Sequence, residues 1–237
     1  MIYHIVLSHK QTEYINKFPE NSVFVFDDPS EEDIIYCKKN NITYVISSEK
    51  GNRSINRNTG ISFILSNYKV SDNDIIEFFD GDRYPTTYNF EKVLELIENN
   101  SLDIMLYTCK NDVRLSKIYV PIEGAVIIDT GTMCNPFYSC GFAIKISAIK
   151  KIQEINNGNL FEPSFIYWGG EDQYLGLLCD KLNLKVAITT EVTLNGNVGG
   201  DAVSHSNYRE TLQNYVNLII KNNIPIRNEA RDAYIIK

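Results

Sequence analysis

Five strand-like runs alternate with four helix-like stretches in the first 110 residues, and that order permits few folds. Runs rich in Val, Ile, Phe and Tyr fall at residues 3–7, 23–26, 43–46, 75–79 and 103–107. β-Branched and aromatic side chains suit a pleated, buried surface, so each reads as a strand. Between them, residues 12–17, 31–39, 55–67 and 90–98 space their apolar side chains as a helix does. Ser30 with Asp33 three positions on marks a helix start. Strand–helix alternation implies a mostly parallel central sheet flanked by helices, the α/β class.

The second half is less regular. Residues 110–139 hold no clean period, and their Gly and Pro suggest loops. A strand is expected at 142–145 with a helix from Ser147, a helix from Glu171 to about Asn183, and a strand at 185–190. Residues 194–204 carry Gly196, Gly199 and Gly200 and read as a flexible loop, and 215–220 as a closing helix.

With 237 residues, 43% of them hydrophobic, the chain suits one large domain. A net charge of −7 argues against a general nucleic-acid binder, which needs a basic face. The five cysteines are scattered without a Cys-x-x-Cys pair, so neither a zinc site nor a disulfide framework is favoured. The first eight residues read as a buried strand rather than a signal peptide. No run of about 18 apolar residues occurs, so no membrane span is expected. A cytoplasmic protein of viral or bacterial origin fits this usage, rich in Asn, Ile and Lys.

Two acidic motifs carry the chemistry. The run 75–79 ends in Asp80-Gly81-Asp82. Ligands of open α/β sheets bind outside the carboxyl ends of the strands, where a carboxylate pair can hold a hard divalent cation. Gly81 suits a tight turn, although an ordinary acidic turn has the same composition. Later, Tyr167-Trp168-Gly169-Gly170-Glu171-Asp172 places two carboxylates at a helix start, after the aromatic side chains Phe161 and Phe165. The bland reading is a glycine turn whose acids favour the helix dipole. The sharper one is an aromatic sugar platform with a general base beside it.

In order along the chain, these segments resemble GT-A fold glycosyltransferases, in particular the β-1,4-galactosyltransferases, polypeptide N-acetylgalactosaminyltransferases and chondroitin polymerases. Val25-Phe26-Asp27-Asp28-Pro29-Ser30 resembles their base-contacting turn, and Arg57-Asn58-Thr59-Gly60 their helix start near the donor. Phe79-Asp80-Gly81-Asp82 resembles the Asp-x-Asp metal motif. Cys140-Gly141-Phe142-Ala143-Ile144 with Trp168-Gly169-Gly170-Glu171-Asp172 resembles the acceptor side.

The resemblance implies roles. Asp28, or less favourably Asp27, contacts uracil. Arg57, Asn58, Asp80 and Gly81 lie at the donor, with Asp80 near the ribose. Asp82 and His205 ligate Mn²⁺ or Mg²⁺. Trp168, Gly169, Gly170 and Glu171 bind the acceptor, and Asp172 is the base of an inverting displacement. A single domain follows, with residues 1–109 as the nucleotide-sugar half and 110–237 as the acceptor half. The activity implied is transfer of a hexose or N-acetylhexosamine from a UDP-sugar to a hydroxyl of a glycan, protein or other acceptor.

Three departures qualify this. Leu7-Ser8-His9-Lys10 stands where many relatives have Pro-Thr-Tyr-Asn. Gln173 replaces a further acid of the galactosyltransferases, and Asp172 stands where the retaining polypeptide enzymes have Asn. The alternatives are a retaining transferase, a sugar nucleotidyltransferase or a non-catalytic sugar-binding module. His4 and His9 read as structural.

Overall fold

Alternate residues of the opening strand enter two different cores, because successive side chains of a strand point to opposite faces. Ile5 of β1 (Ile2–Ser8) is buried with Phe78, Phe142 and Phe161 on one face, and Val6 with Phe79, Met105 and Val93 on the other. In this computed structural model the described residues are 1–8, 12–109, 124–133, 135–137, 140–166, 170–195, 208–229, 231 and 234–236.

β1 pairs in parallel with β2 (Val23–Phe26) and β4 (Ile75–Asp80), and β2 with β3 (Tyr44–Ile46). Their carboxyl ends therefore share one edge, where Ser8 lies opposite Phe26 and Leu7 opposite Asp80. Beyond β4 the sheet is mixed. β8 (Gly141–Lys145) is antiparallel to both β4 and β6 (Ile104–Cys109), while β6 runs parallel to β9 (Val186–Leu194). β5 (Pro85–Tyr88) and β7 (Ala125–Ile127) pair antiparallel with β9, and β10 (Tyr234–Ile236) with β7.

The α/β reading stands, with the parallel pairing confined to the β3-β2-β1-β4 block and to β6 with β9. Three strands escaped the sequence reading. β7 and β10 have three residues each, too few to show a period, and β5 begins on proline with mostly exposed side chains. β7 also corrects the reading of 110–139 as loop throughout.

Helices cover both faces. α1 (Glu31–Lys39) opens with the expected capping box: Asp33 N–H donates to Ser30 Oγ, and Ser30 N–H donates to Asp33 Oδ2 at 2.8 Å. α3 (Phe90–Asn99) buries Phe90, Val93, Leu96 and Ile97 from one stripe. Residues 12–17 form a 3-10 helix rather than an α-helix. α2 (Arg53–Asn67) lies on β1 and β2. A Cβ on its Gly60 would come within 2.7 Å of Ile5 Cγ2, so the glycine of Arg57-Asn58-Thr59-Gly60 permits close helix–sheet packing. α4 (Ile146–Ile155), α5 (Glu171–Lys181) and α6 (Tyr208–Lys221) follow in the second half. α6 begins earlier than the stretch read as the closing helix. Of the stretch read as a flexible loop, Leu194 ends β9, Asn195 follows it, and 196–204 lie outside the described residues.

β4 carries a charge in its middle. Glu77 is fully buried and accepts hydrogen bonds from Tyr88 Oη at 2.5 Å and from Tyr107 Oη. His4 Nδ1 lies 2.7 Å from the same carboxylate. Burial and the Glu77 charge push the hydroxyls of Tyr88 and Tyr107 far up, so both stay protonated as donors. His4 is thus part of the sheet interior, as its structural reading implied.

Candidate active site

The site forms where β4 ends and α5 begins, and Arg57 joins the two. Arg57 sits on the second turn of α2 and is 1% exposed. Its Nη2 donates to Asp80 Oδ1 at 3.1 Å, and its Nη1 lies 3.7 Å from Glu171 Oε1. Arg53, one turn earlier on the same helix face, reaches within 3.9 Å of Asp80 Oδ2. Burial opposes the Arg57 charge, yet Asp80, Asp172 and Glu171 outweigh it and hold its pKa above the ordinary value.

Asn58 explains how Arg57 is seated. Its amide donates to Phe161 O at 2.7 Å and accepts from Phe161 N–H at 3.1 Å. That clamp lays the Phe161 ring 4.9 Å from the Arg57 guanidinium carbon, a cation–π contact worth about 0.5–2 kcal/mol. The resemblance places Asn58 at the donor; here both ends of its amide hold the Phe161 backbone.

The two aspartates of Asp80-Gly81-Asp82 occupy different surroundings. The Asp80 side chain is 14% exposed and faces the arginines, whereas that of Asp82 is 53% exposed and lies 3.9 Å from Arg83. Gly81 is buried, donates to Leu7 O at 2.6 Å and has no positive φ. The two carboxylates thus differ in exposure and in partners. The exposed Asp82 carboxylate is an oxygen donor of the kind that could meet a hard cation. Among the described residues no cluster of three or more His, Cys, Asp or Glu could hold a metal. His205 lies outside the described residues.

On the opposite side, Gly170 caps α5 with φ 92°, a left-handed conformation that favours glycine. A Cβ there would also meet Phe165 Cε1 at 2.8 Å. Glu171 is buried beneath Arg57, and Asp172 is half-buried beside it. Burial and the neighbouring Asp172 raise the Glu171 pKa to about 7 against the pull of Arg57 and Arg53. Trp168 and Gly169 lie outside the described residues.

The uracil candidates follow β2. Asp28 pairs with Lys50 at 2.6 Å, and Asp27 Oδ2 accepts from Gly51 N–H at 3.0 Å. Both thus fix the turn that precedes α2.

One further side chain and one pairing went unread in the sequence. Arg53 is legible in retrospect as the residue one helical turn before Arg57. Cys109 and Cys140 bring their sulfurs to 3.6 Å where β6 ends and β8 begins, and Cys140 O accepts from Asp80 N–H at 3.1 Å. The bond to Cys109, burial and the charges of Asp80 and Asp172 push the Cys140 thiol well up, so it stays protonated. No local spacing announces that pair.

A largely parallel, mixed central sheet flanked by helices matches the GT-A glycosyltransferase fold. Among solved structures, S. aureus TarS is similar at 15% identity and a TM-score of 0.59, over 92% of this chain and 39% of TarS. Its residues 1–349 in complex with UDP-GlcNAc match at 16% and 0.57, over 92% of this chain and 66% of that one. GalNAc-T7 with UDP, GalNAc and Mn²⁺ matches at 11% and 0.60, over 93% of this chain and 47% of that one. The likeness is one of fold, and this chain spans less than half the length of TarS or GalNAc-T7. No protein-family model and no curated protein sequence matches. No helix of the described residues is long and apolar enough to cross a membrane.

Proposed function

We propose that this chain is a glycosyltransferase that moves a hexose or N-acetylhexosamine from a UDP-sugar to an acceptor hydroxyl with inversion. The observation that carries this reading is the Arg57 bridge. It draws Asp80, at the carboxyl edge of the parallel strands, to Glu171 at the head of α5. A donor at the strand edge and an acceptor at α5 would then meet over one charge-balanced floor. The similar structures of TarS and GalNAc-T7 contain UDP-GlcNAc, or UDP, GalNAc and Mn²⁺, which supports a UDP-sugar as donor.

The roles are those the resemblance implies, and the exposure and charge of the described side chains support them. Asp172 takes the proton of the acceptor hydroxyl as it attacks the anomeric carbon. Glu171 binds acceptor hydroxyls, and its raised pKa lets it donate as well as accept near neutrality. Asp80 lies by the ribose, oriented by Arg57 and Arg53. Asp28 contacts the uracil across the turn that Lys50 steadies. Asp82 and His205 would hold Mn²⁺ or Mg²⁺, which supplies charge neutralisation for the departing diphosphate.

The test is incubation with UDP-sugars and Mn²⁺, following UDP release and the anomeric configuration of the product by NMR. An inverted anomer is expected. A retained anomer would transfer the reading to a retaining enzyme, and release of pyrophosphate to a nucleotidyltransferase.

A further inference from the structure

Two cavities adjoin on either side of one ridge, residues 163–166, which leads toward Gly170. One, of about 390 Å³, lies between the ridge and α6, with Glu210, Gln213 and Asn217 among its walls. The other, of about 450 Å³, lies between the ridge and the start of α2, with Asn157, Asn159 and Glu162. Ser164 and Ile166 line both. The ridge is tied from each side: Asn52 Nδ2 donates to Pro163 O, and Asn214 Nδ2 to Ser164 O, each at 3.0 Å. Ile166 stands 59% exposed on its crest.

The chemistry of the walls is specific. Among the described lining residues there is no Lys, Arg or His, while Glu49, Glu162 and Glu210 are present. A phosphate-bearing or acidic ligand would meet three carboxylates there with no cation to offset them. Amides offer both donors and acceptors, and carboxylates accept, which matches hydroxyls that do both. Gln213 Nε2 donates to Asn217 Oδ1 at 2.9 Å. Among the described residues nothing else bonds the Asn217 amide hydrogens or the Gln213 carbonyl, so both remain for a ligand. Ile166 gives an apolar seat for the C–H face of a sugar ring. Each cavity falls within the range of a small-ligand site, about 300–1,000 Å³, so the two in series suit more than one sugar unit.

We infer that this double groove binds the acceptor, and that the acceptor is a neutral oligosaccharide whose chain crosses the Ile166 ridge. The inference rests on the transferase reading for the word acceptor, and on the groove alone for the ligand class. Position supports the link: Phe165 and Thr211, both lining the groove, are the nearest neighbours of a Cβ placed on Gly170, at 2.8 Å and 3.4 Å, one residue before Glu171.

The experiment is saturation-transfer NMR and calorimetry on the whole chain. The probes are malto- and chito-oligosaccharides of one to five units, with poly(glycerol phosphate) and a Ser/Thr-rich peptide beside them. At least one neutral series should bind, with affinity rising about tenfold from one unit to three, a gain of about 1.4 kcal/mol. Ile166→Arg and Asn217→Ala should each reduce the longer oligomers toward the affinity of the single sugar, at unchanged melting temperature. Absence of binding by both neutral series, length-independent affinity, or preference for the phosphate polymer or peptide would overturn the inference. UDP affinity is measured in parallel. Oligosaccharide binding without UDP binding keeps the glycan groove and removes the transferase reading; UDP-sugar turnover with no oligosaccharide bound does the reverse.

Discussion

The two acidic motifs are built alike, and the likeness lies in their inner and outer members. Asp80 and Glu171 are the inner pair, each within 3.7 Å of buried Arg57. Asp82 and Asp172 are the outer pair, more exposed than their inner partners. A carboxylate anchored on a buried guanidinium is held in place but is poor at changing partners. One at the rim can meet a cation or a hydroxyl. The comparison teaches that position and chemistry are divided between neighbours in sequence. Inner substitutions should act on folding as well as on substrate binding, and outer ones chiefly on turnover.

Ranked by effect on folding, Arg57→Ala comes first. It leaves Asp80 and Glu171 without their shared cation, and loss of one partner of a buried pair costs about 3–5 kcal/mol. Urea unfolding measures it; a cost within about 0.5 kcal/mol would dissolve the inner pair as a category.

Glu171→Gln is next, and its effect depends on pH. The folded state holds the Glu171 pKa at about 7, above its ordinary 4.5, so between those values the native protein binds more protons than the unfolded chain. Stability then falls as pH rises from about 4.5 to 7 and levels above that. The glutamine variant lacks this loss, so its advantage over wild type should be absent at low pH and full above neutrality. Parallel melting profiles across the range would break the assignment.

The outer pair should leave folding within about 0.5 kcal/mol. Asp172→Asn should still bind UDP yet lose about 10²–10⁴ in turnover, the scale of general base catalysis. A variant that keeps a tenth of the wild-type rate would remove Asp172 from that role. Asp82→Asn, exposed already, should perturb folding least. Calorimetry should show UDP affinity made indifferent to Mn²⁺, and affinity that still responds to chelator would place the cation elsewhere.

Legibility followed the same division. The parallel strands announced themselves because Val23–Phe26 and Ile75–Asp80 are buried along nearly their whole length, and both acidic motifs stand out as residue patterns. The Arg57–Glu171 contact joins positions more than a hundred residues apart, and no local period encodes it. The resemblance places Asn58 near the donor, whereas its hold on the Phe161 backbone spans about a hundred residues and has no local signal. The antiparallel strands β7 and β10 owe their existence to a neighbouring edge rather than to their own three residues.

Buried Glu77 has a consequence for how the molecule can change over time. A strand slipped by one residue would turn that carboxylate to the opposite core and strand two tyrosine hydroxyls, so β4 is pinned against sliding. Insertions or deletions in the turn between β4 and β5 cannot be absorbed by β4, because β5 pairs with β9 and not with β4. They must be taken up by residues 81–84 themselves. Length variation there would therefore alter the reach of Asp82 while Asp80 keeps its address, which makes this turn a natural place for evolution, or an engineer, to retune the proposed cation site without rebuilding the floor beneath it.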